Sequence, residues 1–115
     1  MTTLFEMAQN WLNQDPDAET HAELTALLSA AKSGDAKAEA ELAARFDGRL
    51  QFGTAGLRGR LQAGSMGMNR VLVAQAAGGL AEYLKGYDKQ PSIVIGYDGR
   101  KNSDVFARDT AEIMA

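Results

Sequence analysis

Five glycines between Gly53 and Gly67 constrain the fold of this chain more than any other feature. Glycine weakens helix interiors and supplies the positive φ angles of tight turns, so the stretch cannot continue a helix. Residues 1–47 carry helical periodicity, and a second helical pattern begins after Asn69. The chain is therefore expected to join two helical regions through a long ordered loop, with short strands at residues 49–52 and 57–61.

Polar residues at helix starts, and Pro or Gly residues at helix ends, divide residues 1–47 into three predicted helices. Ser, Thr and Asp side chains accept hydrogen bonds from the free N–H groups of a first turn. A Thr followed three residues later by Glu forms a capping box. The predicted starts are Thr3, then Pro16 or Thr20, then Asp35, and the predicted ends are Asp15, Gly34 and Gly48.

The second half alternates helix, strand and helix. Asn69 is expected to cap a helix over residues 70–85, which Gly86 ends. Residues 92–97 are β-branched and apolar, as buried parallel strands are, and Ser103 is expected to cap the next helix. This order predicts an α/β domain that lacks most of its sheet. We expect the N-terminal piece of a longer protein; the alternative is a complete small helical domain.

The composition excludes several function classes. The net charge of −3 argues against nucleic-acid and membrane-surface partners, although a local cationic pocket remains compatible with it. There is no cysteine, which excludes disulfides and cysteine-based metal sites. Neither a signal-peptide core nor a run of transmembrane length is present, so a cytoplasmic protein is expected.

The glycine loop carries the clearest chemistry. Residues 52–59 read Phe-Gly-Thr-Ala-Gly-Leu-Arg-Gly, and glycine-rich turns let backbone N–H groups approach an anion. Arg58 adds a planar, permanently charged donor that matches phosphate oxygens. The spacing fits neither the dinucleotide fingerprint nor the nucleotide P-loop. A phosphorylated ligand is the simplest interpretation; the alternative is a plain turn with a solvated Arg58.

A second polar cluster follows the predicted strand at residues 92–97. Asp98 and Arg100 lie where α/β domains place ligands, but a structural turn closed by their pairing is favoured over catalysis. His21 is the only histidine and is expected at the surface. The sequence shows no activated nucleophile, no general base and no metal site, so no catalytic residue is expected in this chain.

These clusters, in their order and spacing, resemble the start of the α-D-phosphohexomutase superfamily, which comprises the phosphoglucomutases and phosphomannomutases. The motif at residues 52–59 resembles its N-terminal signature, and residues 93–100 resemble its next strand and loop. The resemblance implies an incomplete three-layer α/β/α domain with a mixed sheet. Residues 1–47 would form an N-terminal helical leader, and residues 48–115 part of domain I, cut before the phosphoserine loop.

The family resemblance also implies the chemistry. Its members interconvert hexose 1-phosphate and hexose 6-phosphate through a phosphoserine and a bisphosphate intermediate, and they use Mg²⁺ and a hexose 1,6-bisphosphate activator. The phosphoserine is expected beyond Ala115 and the metal ligands in a later domain. Arg58 would stabilise the migrating phosphoryl group. The other implied residues are Thr54, Gly53 and Gly56 as phosphate-binding groups and Arg60, Asp98 and Arg100 as supporting groups.

Glucose is the expected sugar, and pentose phosphate is the alternative within the family. A non-catalytic phosphate-binding or interaction module is the alternative from another class. The isolated 115-residue piece is expected to be inactive and to self-associate through exposed apolar surface and an unpaired sheet edge.

Overall fold

The structure is a computed structural model that describes residues 3–54 and 56–115. The chain divides into two compact units, residues 1–71 and residues 72–115. The elements in chain order are α1 (Leu4–Gln14), α2 (Ala18–Lys32), α3 (Ala36–Arg45), β1 (Phe52–Gly53), β2 (Gly56–Leu57), α4 (Arg70–Tyr87) and α5 (Ser103–Met114). None of the helices in the described residues is long and apolar enough to cross a membrane.

Side-chain caps fix the starts of α1 and α3 as predicted. The Glu6 N–H donates to Thr3 Oγ1 at 3.2 Å. Asp35 Oδ1 accepts from the N–H groups of Lys37 and Ala38, at 3.0 and 3.2 Å. Each cap satisfies backbone donors that have no partner inside the helix. Both predicted starts are confirmed.

Of the two predicted starts of α2, the one near Pro16 agrees with the structure, and capping by Thr20 is wrong. Asp17 is the capping residue, since its Oδ1 accepts from the Glu19 N–H at 2.9 Å. Thr20 lies inside the first turn, is buried, and donates from Oγ1 to Asp15 Oδ2 at 2.5 Å. Its hydroxyl therefore stabilises the turn between α1 and α2, and the aspartate that follows Pro16 caps α2 instead.

The first unit has one hydrophobic core, in which α1, α2 and α3 pack on one another. Ala63 and Val71 belong to the same buried cluster, so the loop after the hairpin packs with the three helices rather than apart from them. Burial of each leucine side chain here contributes roughly 1.5–3 kcal/mol of transfer free energy. The buried members from the helices are Ala8, Trp11, Leu12, Leu24, Leu28, Ala31, Ala38 and Leu42.

The strands of the first unit are shorter than predicted. β1 and β2 form a two-residue antiparallel pair, with Phe52 opposite Leu57 and Gly53 opposite Gly56. Leu61 adds one isolated parallel bridge to Met68. The described residues place no third strand beside this pair, and its glycines offer no side chains for cross-strand packing. The two segments therefore form a small hairpin and one bridge.

The second unit holds most of α4, an extended connection and α5. α4 runs to Tyr87, so Gly86 lies in its last turn and not beyond its end as predicted. Residues 92–97 are not a strand, because no strand in the described chain pairs with them and a strand exists only through such pairing. Asn102, with φ 67°, takes the cap position of α5, so the predicted capping by Ser103 is wrong.

Candidate functional site

The site begins with the hairpin formed by β1 and β2. Gly53 and Gly56 face each other across the turn, and Gly56 has φ +93°, which L-residues with a side chain rarely adopt. Gly53, Thr54 and Gly56 are exposed, so a ligand can reach this turn. Ala55, the remaining residue of the motif, lies outside the described residues. The sequence pattern thus produces the tight, accessible turn that an anion site needs.

Two arginines follow the hairpin directly. Arg58 is exposed, and its side chain makes no hydrogen bond or ion pair with any residue that the structure describes. The Arg60 side chain is likewise exposed, while its backbone carbonyl accepts from the Met68 N–H at 2.7 Å. The guanidinium of Arg58 stays charged at any physiological pH and keeps all five donors available. It can therefore receive an anion without breaking a contact.

The charge pattern around the hairpin is strongly one-sided. From Gly48 to Ala81 the sequence contains four arginines and no Asp or Glu, in a chain whose net charge is −3. This stretch of sequence supplies no carboxylate of its own to compete with an incoming anion for the Arg58 guanidinium. The absence of carboxylates is a signal that motif reading alone missed, and it favours anion binding over a plain solvated turn.

Residues 62–69, here named the support loop, hold both ends of the hairpin. On the entering side, the Leu50 N–H donates to the Ser65 carbonyl at 3.1 Å, and Ser65 Oγ donates to the Gly48 carbonyl at 2.5 Å. On the leaving side, Arg60 accepts from the Met68 N–H. The short hairpin has few contacts of its own, so these bonds orient it.

The Asn69 side chain holds the support loop together by hydrogen bonds. Its side chain is only 2% exposed, and Nδ2 donates to the carbonyls of Gln62 and Gly64 at 2.8 Å each. A third acceptor, the Gly67 carbonyl, lies 3.2 Å away. The predicted position before α4 is confirmed, but this network was not foreseen. Buried amide donors that serve several carbonyls fix a loop because each unmade bond is costly.

Gly64 seats the support loop against the end of α3. It has φ +104°, and a Cβ at this position would lie 2.6 Å from the Arg45 carbonyl oxygen. The Met66 N–H donates to that same carbonyl at 3.0 Å. The backbones approach too closely for any side chain, so the glycine is required here by both conformation and space.

A carboxylate from α2 completes the attachment. Glu23 Oε1 forms an ion pair with Arg45 Nη1 and accepts from the Ala63 N–H at 3.2 Å. Arg45 Nε also contacts Glu41 at 3.0 Å. Burial alone would lower the pKa of Arg45, but the hydrogen bonds to Glu23 and Glu41 outweigh it and raise that pKa above its ordinary value. The arginine is therefore permanently charged in this contact.

Asp98 and Arg100 form a separate turn in the second unit. Asp98 Oδ1 accepts from the Arg100 N–H at 3.0 Å, and Oδ2 lies 3.2 Å from Arg100 Nε. The Asp98 N–H donates to Ser103 Oγ at 3.1 Å. The hydrogen bond from the Arg100 N–H is the main cause that lowers the pKa of Asp98 below 3.8. The predicted Asp–Arg turn is present; its role toward a ligand stays a prediction.

The structure thus brings Gly53, Thr54, Gly56, Arg58 and Arg60 together in one exposed segment. It places His21 at the surface of α2, as expected. Sequence reasoning missed Glu23 as a support of the site, because its bond partner Ala63 lies 40 residues away and no periodic pattern marks such a pair.

Comparisons with known proteins give one family model and several relatives. The family model for phosphoglucomutase/phosphomannomutase, alpha/beta/alpha domain I, matches residues 49–115. A probable phosphomannomutase of Haemophilus influenzae is 96% identical over 50 residues, which cover 44% of this chain and 10% of that protein. A phosphoribomutase of Saccharomyces cerevisiae is 45% identical over 102 residues, which cover 88% of this chain and 15% of the yeast protein.

A phosphoglucomutase of Staphylococcus aureus is 40% identical over 70 residues, which cover 61% of this chain and 13% of that protein. The comparison with solved structures returned no match. The matched segment thus amounts to about a tenth to a seventh of the length of these relatives. The match over residues 49–115 confirms the predicted α/β/α fold class, and the chain belongs to the phosphoglucomutase/phosphomannomutase family.

Proposed function

We propose that this chain supplies the N-terminal phosphate-contacting part of a phosphosugar mutase. The enzyme is an isomerase that interconverts a hexose 1-phosphate and a hexose 6-phosphate, with glucose as the proposed sugar, through a phosphoserine and a bisphosphate intermediate. The observation that carries the proposal is the exposed Arg58, without a partner among the described residues, beside a glycine hairpin. It lies in a carboxylate-free, arginine-rich stretch of a chain of this family.

The residues present suit phosphoryl transfer because that reaction depends on positioning and charge stabilisation more than on covalent chemistry by the protein. The planar guanidinium of Arg58 matches two oxygens of one phosphoryl group. The Thr54 hydroxyl and the backbone near Gly53 and Gly56 are the proposed supporting donors, and Arg60 a second cation. The reacting serine is proposed to come from another part of the enzyme, so the 115-residue chain alone is expected to be inactive.

Mg²⁺ and a hexose 1,6-bisphosphate activator are proposed for the whole enzyme. Mg²⁺ prefers several oxygen ligands. Across residues 3–54 and 56–115, no group of three or more His, Asp or Glu side chains is arranged to hold a metal ion. The described residues therefore do not fit the metal, and its ligands are assigned to a later domain.

A pentose phosphate is the second candidate substrate, and one observation favours it. The match to the yeast phosphoribomutase covers 88% of this chain, against 61% for the staphylococcal phosphoglucomutase. A match of that extent includes much of the helical leader. Parallel assays with glucose 1-phosphate and ribose 1-phosphate separate the two, since the preferred sugar gives the higher kcat/KM.

The remaining expectations stay predictions. The domain bounds at residues 47 and 48, the cytoplasmic location and self-association of the 115-residue chain belong here. Val94, 96% exposed in the second unit, supports self-association because large exposed apolar side chains favour contact between copies. Sedimentation of the purified chain tests it: a concentration-dependent mass supports it, and a monomer at all concentrations contradicts it.

The substitution Arg58→Ala in the full-length mutase that carries this segment tests the proposed function. We expect turnover to fall by about 100-fold or more, since loss of one donor to developing charge costs that much. The melting temperature should change little, because Arg58 is exposed. Arg108→Ala is the matched control, because Arg108 on α5 is also exposed and without a partner among the described residues. Normal turnover of the folded Arg58→Ala enzyme would remove Arg58 from the mechanism.

A further inference from the structure

We infer that Glu23, on the second helix of the leader, is a positioning residue for the hairpin and for Arg58, which follows it directly. The inference rests on the proposed function, because it concerns the same phosphate site. The Glu23 carboxylate is far from the motif in sequence: it lies 40 residues before Ala63, from whose N–H it accepts a hydrogen bond.

One carboxylate oxygen of Glu23 joins two elements of the fold. Oε1 pairs with Arg45 Nη1 at the end of α3 and accepts from the Ala63 N–H at 3.2 Å in the support loop. The Arg45 side chain is 14% exposed and that of Glu23 is 38% exposed. Partial burial makes this pair less screened by salt than a surface pair. Glu23 is thus the side chain that couples α2 and α3 to the loop.

The support loop orients the hairpin from both ends. The Leu50 N–H donates to the Ser65 carbonyl, and the Met68 N–H donates to the Arg60 carbonyl. Arg58 stands two residues before Arg60, outside the two-residue strand pair. A shift of the support loop therefore moves the backbone that carries Arg58, and small misplacements of a phosphate-contacting group are costly in this kind of chemistry.

The two carboxylate contacts of Arg45 differ in what else they hold. Glu41 is also paired with Arg45, at 3.0 Å from Nε, but it is one turn away on the same helix and makes no hydrogen bond or ion pair with the described residues of the support loop. The substitutions Glu23→Ala and Glu41→Ala therefore allow a matched comparison. Each removes one carboxylate from Arg45, and only Glu23→Ala leaves the Ala63 N–H without its acceptor.

The experiment measures binding of glucose 1,6-bisphosphate to the 115-residue chain by ¹H–¹⁵N NMR titration, with heteronuclear NOE values for Gly56 and Arg58. Glu23→Ala is expected to weaken binding about tenfold, the middle of the range for mutations that act through packed contacts. It should also lower the NOE values at the hairpin. Glu41→Ala should stay within about twofold of the parent chain.

Glu23→Gln serves as the conservative rescue, because its amide oxygen still accepts from the Ala63 N–H. It should bind within about threefold of the parent chain. Equal impairment of Glu23→Gln and Glu23→Ala, or unchanged binding and NOE values in Glu23→Ala, would overturn the inference. If Glu23→Ala loses its dispersed spectrum, Glu23→Asp replaces it: the charge is kept, but the side chain is one methylene too short to reach both partners, so tenfold weaker binding is again expected.

Failure of the inference is distinguishable from failure of the proposed function. If the parent chain does not bind the bisphosphate, the proposed function fails on this chain. The NOE comparison between Glu23→Ala and Glu41→Ala then still decides the coupling: a hairpin loosened only in Glu23→Ala supports it, and equal values contradict it.

Discussion

The substitution Gly64→Ala measures how firmly the support loop is seated on α3. Gly64 has φ +104°, and an added Cβ would meet the Arg45 carbonyl oxygen at 2.6 Å and the Arg45 Cβ at 2.9 Å. Gly34 is the matched control, because its φ of +95° is nearly the same while nothing lies within 4 Å of its added Cβ. The two variants share the conformational strain and differ in the clash.

The magnitudes follow from these two terms. An alanine forced to positive φ costs roughly 1–2 kcal/mol, and the reduced entropy of the unfolded chain offsets about 0.4–1 kcal/mol of it. Gly34→Ala should therefore lose about 1 kcal/mol. Gly64→Ala carries in addition the overlap with the α3 backbone, for which overpacking of roughly 1–3 kcal/mol is typical. Its total loss should be about 2–4 kcal/mol.

Urea and thermal unfolding of the parent chain and both variants, followed by circular dichroism at the helix band, provides the assay. For a chain of this size about 1 kcal/mol shifts the melting temperature by roughly 4 °C, so the two variants should melt several degrees apart. A Gly64→Ala chain that is no less stable than Gly34→Ala would refute the reasoning. The close approach to Arg45 would then add nothing to the loss of free energy of unfolding.

Two further predictions concern the buried Asn69 side chain and the turn formed by Asp98 and Arg100. Asn69→Ala should lower the free energy of unfolding by about 2–4 kcal/mol, since three backbone carbonyls lie within hydrogen-bond distance of its Nδ2. The control Asn10→Ala, at an exposed position, should lower it by less than about 0.5 kcal/mol. Equal losses of the two variants in urea unfolding would contradict this. The pKa of Asp98 is lowered below 3.8, so the stability that its turn contributes is complete above pH 3.8 and is lost as the pH falls through the folded-state pKa. The Arg100 amide resonance should follow that titration by NMR, and an amide that shifts only above pH 5 would refute it.

Local signals predicted the helices of the leader well. Thr3 and Asp35 cap α1 and α3 because a side-chain oxygen at a helix start meets free N–H groups whatever the rest of the chain does. At α2 the sequence left the start open between Pro16 and Thr20, and Asp17 takes the cap. The Thr20 hydroxyl bonds to Asp15 instead, and this tertiary choice is not encoded in the local pattern.

The strand predictions depended on partners that sequence does not display. Residues 92–97 have strand composition, yet ladder hydrogen bonds require a neighbouring strand, and the described residues supply none. A glycine turn was foreseen as an alternative, because glycine spacing specifies a turn by itself, but the pairing of Phe52 with Leu57 was not predicted.

One part of the candidate site could be recognised from the sequence, and another part could not. Arg58 and its glycines are contiguous, so the motif could be recognised from the sequence, while its role toward a phosphate stays a prediction. The support from Asn69, Gly64 and Glu23 was not, because it depends on backbone approaches and contacts between distant segments. Such contacts become visible only when the fold is known.

A crystal structure of the full-length mutase with glucose 1,6-bisphosphate tests the central claim most directly. The account predicts a guanidinium nitrogen of Arg58 within about 3 Å of a phosphoryl oxygen, at the face of the hairpin formed by Gly53 and Gly56. A bound bisphosphate held elsewhere, with the Arg58 side chain extended into bulk solvent, would contradict it.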